Sequence, residues 1–352
     1  MATPNKMKYV NLGKSGLKVS RIILGTMTYG GDGSEGWQKW VLPEETGVKH
    51  IKEAWRLGIN TFDTANAYSD GLSEICLGKA LKELNVPREK VVIMTKVFFP
   101  VTDNPGPSIH TKSAEELAAA GYVNRHGLSR KHIFDSVQAS LKRLQVDYID
   151  LLQCHRFDYD TPIEETMQAL HDVVQKGWVR YIGMSSCWAY QFHIMQNYAI
   201  NNKLTPFISM QNQYSAIYRE EEREMHPTLE HFGAGSVTWS TLGRGLLTRP
   251  WNTAGHRTGQ DSYLAQFSSK SQASNEAIIN AVEAISKKRG KSMAVIALAW
   301  SLSKKAVSAP IVGTSKIESI QELCEAVEVE LTAEEIKAIE DPYIPRWVDG
   351  HA

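Results

Sequence analysis

"GINTFDTANAYSDG" (residues 58–71) sets an apolar run, Ile59 to Phe62, directly against an acid, a threonine, an asparagine and a tyrosine. A short apolar run that breaks into polar residues reads as a strand buried on both faces and running out into a loop. Asp63 and Tyr68 stand at that break. One such unit decides little. A repeated strand, polar tip and amphipathic helix decides the fold.

The unit recurs. Runs of the same kind are "IILGT" (22–26), "INTFDT" (59–64), "VVIMTK" (91–96), "IDLLQCH" (149–155), "VRYIGMSS" (179–186), "FISMQNQY" (207–214), "GSVTWST" (235–241) and "SAPIVGT" (308–314). Helical patterns separate them. "SEICLGKALKEL" brings Ile75, Leu77, Leu81 and Leu84 together on a 3.6-residue period. In "TPIEETMQALHDVVQKG", Thr161 is the N-cap, Pro162 fits the first turn, Glu164 completes a capping box and Gly177 stops the helix. "SNEAIINAVEAISKKRG" and "SMAVIALAWSLSKK" give two more helices, and "LTAEEIKAIE" opens on a box from Thr332 to Glu335. Ahead of everything, "KYVNLG", "KSG" and "LKVSRIILG" read as a β-hairpin. Eight strand–helix units predict one closed (β/α)8 barrel over residues 1–352 with an N-terminal hairpin. The competing doubly wound sheet lacks a GxGxxG after an early strand. Residues 27–45, 97–128 and 242–272 are expected as long loops at the mouth, where they shape substrate access.

The 352 residues carry 39 basic and 39 acidic side chains, so nothing electrostatic points to a nucleic acid or an anionic membrane. The basic run "SKKRG" (286–290) sits where a helix end favours cations. Cys76, Cys154, Cys187 and Cys324 form no CxxC pair and are expected as buried free thiols. "MATPNKMKYV" has no apolar core of a leader, and no apolar run is long enough to span a bilayer. The expectation is a cytoplasmic protein.

In a barrel the strand tips share one face. That face would collect Asp63, Tyr68, Lys96 and His155. A phenol of pKa about 10 is a poor proton donor near neutrality. An ammonium beside it favours the phenolate, and a carboxylate keeps that ammonium charged and aimed. A histidine can orient a carbonyl oxygen. Together these groups would protonate the oxygen of a carbonyl that receives a hydride. A metal-dependent hydrolase needs convergent ligands, and His155 is the one strand-end histidine, with no HxH run.

The later tips suit a dinucleotide. Tyr214 could stack on a nicotinamide whose carboxamide meets Ser185, Ser186 and Gln211. "WSTLGRG" (239–245) offers Trp239, Ser240, backbone amides around Leu242 and Gly243, then Arg244 and Gly245, with glycines allowing close phosphate approach. "IVGTSK" ends the last run with Gly313, Thr314, Ser315 and Lys316 before a helix, and Lys316 could meet a 2′-phosphate. Gly25 and Thr26 close the first run beside them.

"ILGTMTYG", "NTFDTANAYSDGLSEICLGKAL", "MTKV", "IDLLQCHR", "GWVRYIGMSS", "SMQNQYS", "WSTLGRGLLT" and "IVGTSKIESI", in this order, resemble the aldo-keto reductase superfamily over nearly the whole chain. The resemblance implies a reversible carbonyl reductase. Its tetrad would be Asp63, Tyr68, Lys96 and His155, and its partner a small carbonyl compound or alcohol. The cofactor implied is NADPH, with NADH less favoured, extended across the mouth, and Glu322 would stand near the adenine. Two positions depart from the pattern: Ser186 and Leu323 stand where asparagine is common. "WSTLGRGLLTRPW" and the length are similar to fungal aryl-alcohol dehydrogenases and aldehyde reductases. Trp37, Trp40 and Trp188 are candidates for an aromatic wall. The alternative is a redox-sensing, NADPH-binding regulatory subunit of the same fold, against which an intact tetrad argues.

Overall fold

The structure is a computed structural model that describes residues 7–31, 38, 40–102, 112–255 and 271–351. Trp37 and parts of the three expected mouth loops, 32–37, 103–111 and 256–270, lie outside the described residues.

A hairpin of β1 (Tyr9–Asn11) and β2 (Lys18–Ser20) pairs antiparallel ahead of the main sheet. Next come β3 (Ile23–Gly25) and a small parallel pair, β4 (Tyr29–Gly31) and β5 (Leu42–Pro43). The remaining strands are β6 (Thr61–Asp63), β7 (Val92–Val97), β8 (Ile149–Cys154), β9 (Val179–Ser185), β10 (Phe207–Gln213), β11 (Gly235–Trp239) and β12 (Val307–Val312). β3 and β6 to β12 close a parallel barrel in chain order, with β12 returning to β3. All eight expected runs are barrel strands.

The strands close because every second side chain packs inward. Ile23, Met94, Leu151, Val237 and Ala309 fill the barrel, and Leu12 and Val19 of the hairpin pack against them. The hairpin therefore plugs the amino-terminal end and leaves the carboxyl ends as the mouth. Facing outward, Leu24, Phe62, Ile93, Leu152 and Ile182 meet the helices in the main core.

The helices are α1 (Glu44–Arg56), α2 (Leu72–Glu83), a short α3 (Ala114–Ala119), α4 (Arg130–Leu144), α5 (Ile163–Gln175), α6 (Ala189–Asn201), α7 (Met225–Phe232), α8 (Gln272–Arg289), α9 (Met293–Ser303), α10 (Glu318–Cys324) and α11 (Ala333–Glu340). Two local expectations need correction. The buried face of α2 is Ser73, Glu74, Cys76, Leu77, Ala80 and Leu81, with Ile75 and Leu84 half-exposed at its edges. Its buried acid explains the shift, because Glu74 takes Arg143 and Thr95 as partners under the helix. On α5 the capping box does not form. The Thr161 hydroxyl donates instead to Asp158 at 2.7 Å, and the helix starts one residue later with Pro162 as N-cap. Gly177 does end that turn, at φ 74°. The box on α11 forms in both directions between Thr332 and Glu335.

The four cysteines are free; Cys324 is half-buried and the others are buried. No helix among the described residues is long and apolar enough to cross a membrane.

Candidate active site

Three strands deliver the central group. β6 ends at Asp63, β7 carries Lys96 one residue before its end, and His155 follows β8 directly. Tyr68 comes from the turn after β6. That turn is tight: Ser69 and Asp70 take left-handed backbone angles (φ 49° and 52°) before Gly71. Such conformations cost non-glycine residues energy and persist where the surroundings impose them. Here the Ser69 hydroxyl donates to the carbonyl of Tyr29 at 3.0 Å and pins the turn.

The Lys96 ammonium makes three bonds, to Asp63 Oδ2 at 2.7 Å, the carbonyl of Thr64 at 2.8 Å and Tyr68 Oη at 3.2 Å. Lys96 is 1% exposed, so its charge is compensated by these groups rather than by water. Desolvation pulls its pKa down, but Asp63 and Tyr68 outweigh it and the pKa is raised; Lys96 is a cation. For Tyr68 the balance differs from the sequence expectation. Burial raises the phenol most, Lys96 lowers it, Asp63 raises it again, and the net is above the ordinary value of about 10. The lowering by Lys96 exists, but desolvation outweighs it.

His155 stands edge-on to Tyr68, ring centres 5.7 Å apart, and to Phe99 at 5.1 Å. Asp63, Tyr68 and His155 all open on a cleft of about 760 Å³, a size suited to a small-molecule site. The structure thus brings the four expected groups together.

From there the cleft runs to Lys316, Ser319 and Glu322. Its walls include Gly25, Ser185, Gln211, Trp239 and Ser240, then Leu242, Arg244 and Gly245, then Gly313, Thr314 and Ser315, as expected from the sequence. Thr26, Ser186, Tyr214 and Gly243 are instead buried behind the wall. Tyr214 lies under the helices: its ring stacks on Trp300 at 5.3 Å and its hydroxyl donates to Glu222 at 2.6 Å. Trp239, by contrast, lines the cleft. Its indole N–H donates to Ser186 Oγ at 3.2 Å, so Ser186 holds the ring from behind. Thr26 bonds the carbonyl of Asp63 at 3.0 Å and Ser73 at 2.8 Å, bracing the strand tip.

Sequence reasoning did not single out Gln153, Phe99, Arg156, Arg249 or Ser319. Phe99, edge-on to His155, and Trp40 line the cleft; Trp188 lies at the surface, edge-on to His351. Arg156, Arg244, Arg249 and Lys316 all border the cleft, against Glu322 and an Asp63 already paired with Lys96. A cleft with an indole wall, an excess of cations and Gly245 at φ 96° fits a polyanionic dinucleotide. No group of three metal-ligating side chains occurs among the described residues.

A profile of the aldo/keto reductase family matches residues 21–344. Versiconal hemiacetal acetate reductase of Aspergillus parasiticus is 47% identical over 349 residues, 97% of this chain and 98% of the relative. The aldo-keto reductase AFTS1 of Alternaria alternata is 46% identical, covering 98% of this chain and 94% of its own. A Schizosaccharomyces pombe protein described as an aryl-alcohol dehydrogenase is also 46% identical, over 97% of both chains.

Proposed function

Because the chain belongs to the aldo/keto reductase family, an oxidoreductase class that reduces carbonyl compounds with NADPH, we propose that Asp63, Tyr68, Lys96 and His155 carry out its proton chemistry. The observation that supports this reading most is the buried Lys96, bonded at once to Asp63 and Tyr68, which line the cleft.

Trp239 would hold a nicotinamide, which when bound would supply the hydride. Ser185 and Gln211 stand at the cleft wall where its carboxamide would be held, and the cations Arg244, Arg249 and Lys316 border the part of the cleft that suits its phosphates. Lys316 would select the 2′-phosphate of NADPH over NADH. The substrate carbonyl oxygen sits between Tyr68 and His155. His155 donates a hydrogen bond that fixes that oxygen, and Tyr68 gives it the proton. Lys96 stabilises the phenolate left behind, with Asp63 holding the ammonium in place. In the oxidative direction the phenolate takes the proton back. Trp40 and Phe99 on the cleft wall favour a flat, apolar carbonyl compound, in keeping with the relative named for aryl alcohols.

NADPH consumption against aromatic, aliphatic and sugar aldehydes, with NADH in parallel, tests the reading. Tyr68→Phe should lower kcat by about 10²–10⁴, the usual worth of a positioned general acid, with nucleotide affinity unchanged. Near-full turnover by that variant would overturn the assignment.

A further inference from the structure

The Asp63 carboxylate is gripped from two sides. Oδ2 takes Lys96, while Oδ1 takes two side-chain amides, Gln211 Nε2 at 2.8 Å and Gln153 Nε2 at 3.3 Å. The amides also bond each other: Gln211 Nε2 donates to Gln153 Oε1 at 3.0 Å. Both hydrogens of Gln211 Nε2 are therefore committed, and its orientation is set by Gln153 as much as by Asp63.

Gln153 is fully buried in the barrel, directly above Leu151 on β8. Across the sheet it pairs in register with Lys96 on β7 and Gly183 on β9. A Cβ at Gly183 would meet Ser209 Oγ at 2.7 Å and crowd Gln153 Cγ at 3.3 Å. The barrel keeps a niche beside Gln153 in a layer where an aliphatic side chain would cost no desolvation. A polar side chain there needs a partner that repays its burial, and that partner is Asp63.

We propose that Gln153 is a positioning residue for proton transfer. It fixes the Asp63 carboxylate so that Oδ2 stays on Lys96 and Lys96 stays on Tyr68. The Lys96–Tyr68 bond is the longest of the ammonium's three, and it is the first to fail if the carboxylate rotates and draws the ammonium with it. The proposal rests on the catalytic roles given above.

Two variants test it. Gln153→Leu keeps the volume and removes both bonds. It should lower kcat at least about tenfold, as loss of a hydrogen bond to a buried charge does, while NADPH affinity by nucleotide fluorescence stays within about threefold. Gln153→Glu is the sharper test. Protonated, its carboxyl donates to Asp63 and accepts from Gln211 as the amide does. Ionised, it sets two carboxylates against each other, and burial with like charge moves that ionisation upward toward neutral pH. The variant should approach wild-type kcat at the acid end and lose it as pH rises, with a limb that wild type lacks. A Gln153→Glu profile parallel to wild type, or Gln153→Leu with kcat within twofold, overturns the proposal. Tyr68→Phe is run alongside. If wild type reduces no carbonyl, or Tyr68→Phe keeps its rate, the catalytic reading falls and takes this proposal with it. If that control behaves and the Gln153 variants do not, the role of Gln153 alone is wrong.

Discussion

Replacing Lys96 by methionine separates what the buried ammonium does for stability from what it does for chemistry. Methionine matches most of the lysine stem, so the packing term is small. Three bonds disappear, and Asp63 Oδ2 loses its ion-pair partner in a site where lysine and aspartate side chains are 1% and 4% exposed. Removing one member of a buried pair typically costs about 3–5 kcal/mol, because the remaining charge is stranded. Asp63 keeps Gln211 and Gln153 on Oδ1, which places the expected loss near the lower end, about 3 kcal/mol. With a urea dependence of about 3 kcal/mol per molar for a chain of this size, the unfolding midpoint should fall by about 1 M. Asp63→Asn strands the ammonium and should cost a similar amount. The double variant leaves neither charge of this pair stranded. It should be destabilised by clearly less than the sum of the two, a coupling of about 2 kcal/mol or more. Its kcat for carbonyl reduction should nevertheless stay as low as that of Lys96→Met, about 100-fold or more below wild type. Urea unfolding followed by tryptophan fluorescence and NADPH consumption at saturating substrate read the two quantities. Additive destabilisation in the double variant, or a Lys96→Met midpoint within about 0.3 M of wild type, would refute the reasoning.

Trp239→Ala should weaken NADPH binding about tenfold or more, the scale of a lost aromatic stack, whereas Tyr214→Phe should leave it unchanged and lower stability by about 1–2 kcal/mol through the lost bond to Glu222. Nucleotide fluorescence titration and urea midpoints distinguish the two rings. Lys316→Ala should raise the Kd for NADPH by about five- to tenfold and leave NADH untouched; because Lys316 is exposed, the difference should shrink as salt rises. The pH dependence follows from the raised phenol of Tyr68. Reduction needs the protonated form, so its rate should hold from pH about 6 to 9 without loss of this donor. Oxidation needs the phenolate and should climb across the same range. An alkaline limb below about pH 9 in the reductive kcat, absent from Tyr68→Phe, would contradict that ordering.

Strand existence was legible because the signal is local. Eight apolar runs, each buried by its neighbours, announce themselves without reference to partners, and each became a barrel strand. The clustering of Asp63, Tyr68, Lys96 and His155 was legible for a related reason. A lysine at the end of "VVIMTK" and a histidine after "IDLLQC" interrupt apolar segments that have no structural need of charge. The α5 cap was not legible, because Thr161 had two acceptable uses and the choice belonged to Asp158, which a local pattern does not weigh. The direction of the Tyr68 shift failed likewise. Its sign is set by how completely the phenol is desolvated, a property of the closed barrel rather than of any neighbour in the chain.

Three of the four expected residues that do not line the cleft, Thr26, Ser186 and Tyr214, stand off the strand alternation. Side chains alternate along a strand, so inward positions keep one parity. Met94 and Lys96, Leu151, Gln153 and His155, and Val237 and Trp239 all keep it, from barrel interior to mouth. Gly25, Ser185 and Gln211 keep it too, and each lines the cleft. Thr26 and Ser186 follow an inward residue by one position, and Tyr214 follows Gln211 by three. Thr26 is thereby buried against Ser73 and Tyr214 against Trp300, whereas Ser186, at φ 47° just past β9, holds Trp239 from behind. Polar and aromatic character nominates a residue for a barrel mouth; within a strand parity decides whether it arrives, and past the strand ends Ser240 and Thr314 reach the cleft off parity. Applied to β8, the same rule puts Gln153 inside the barrel, two residues before His155, next to the carboxylate it holds.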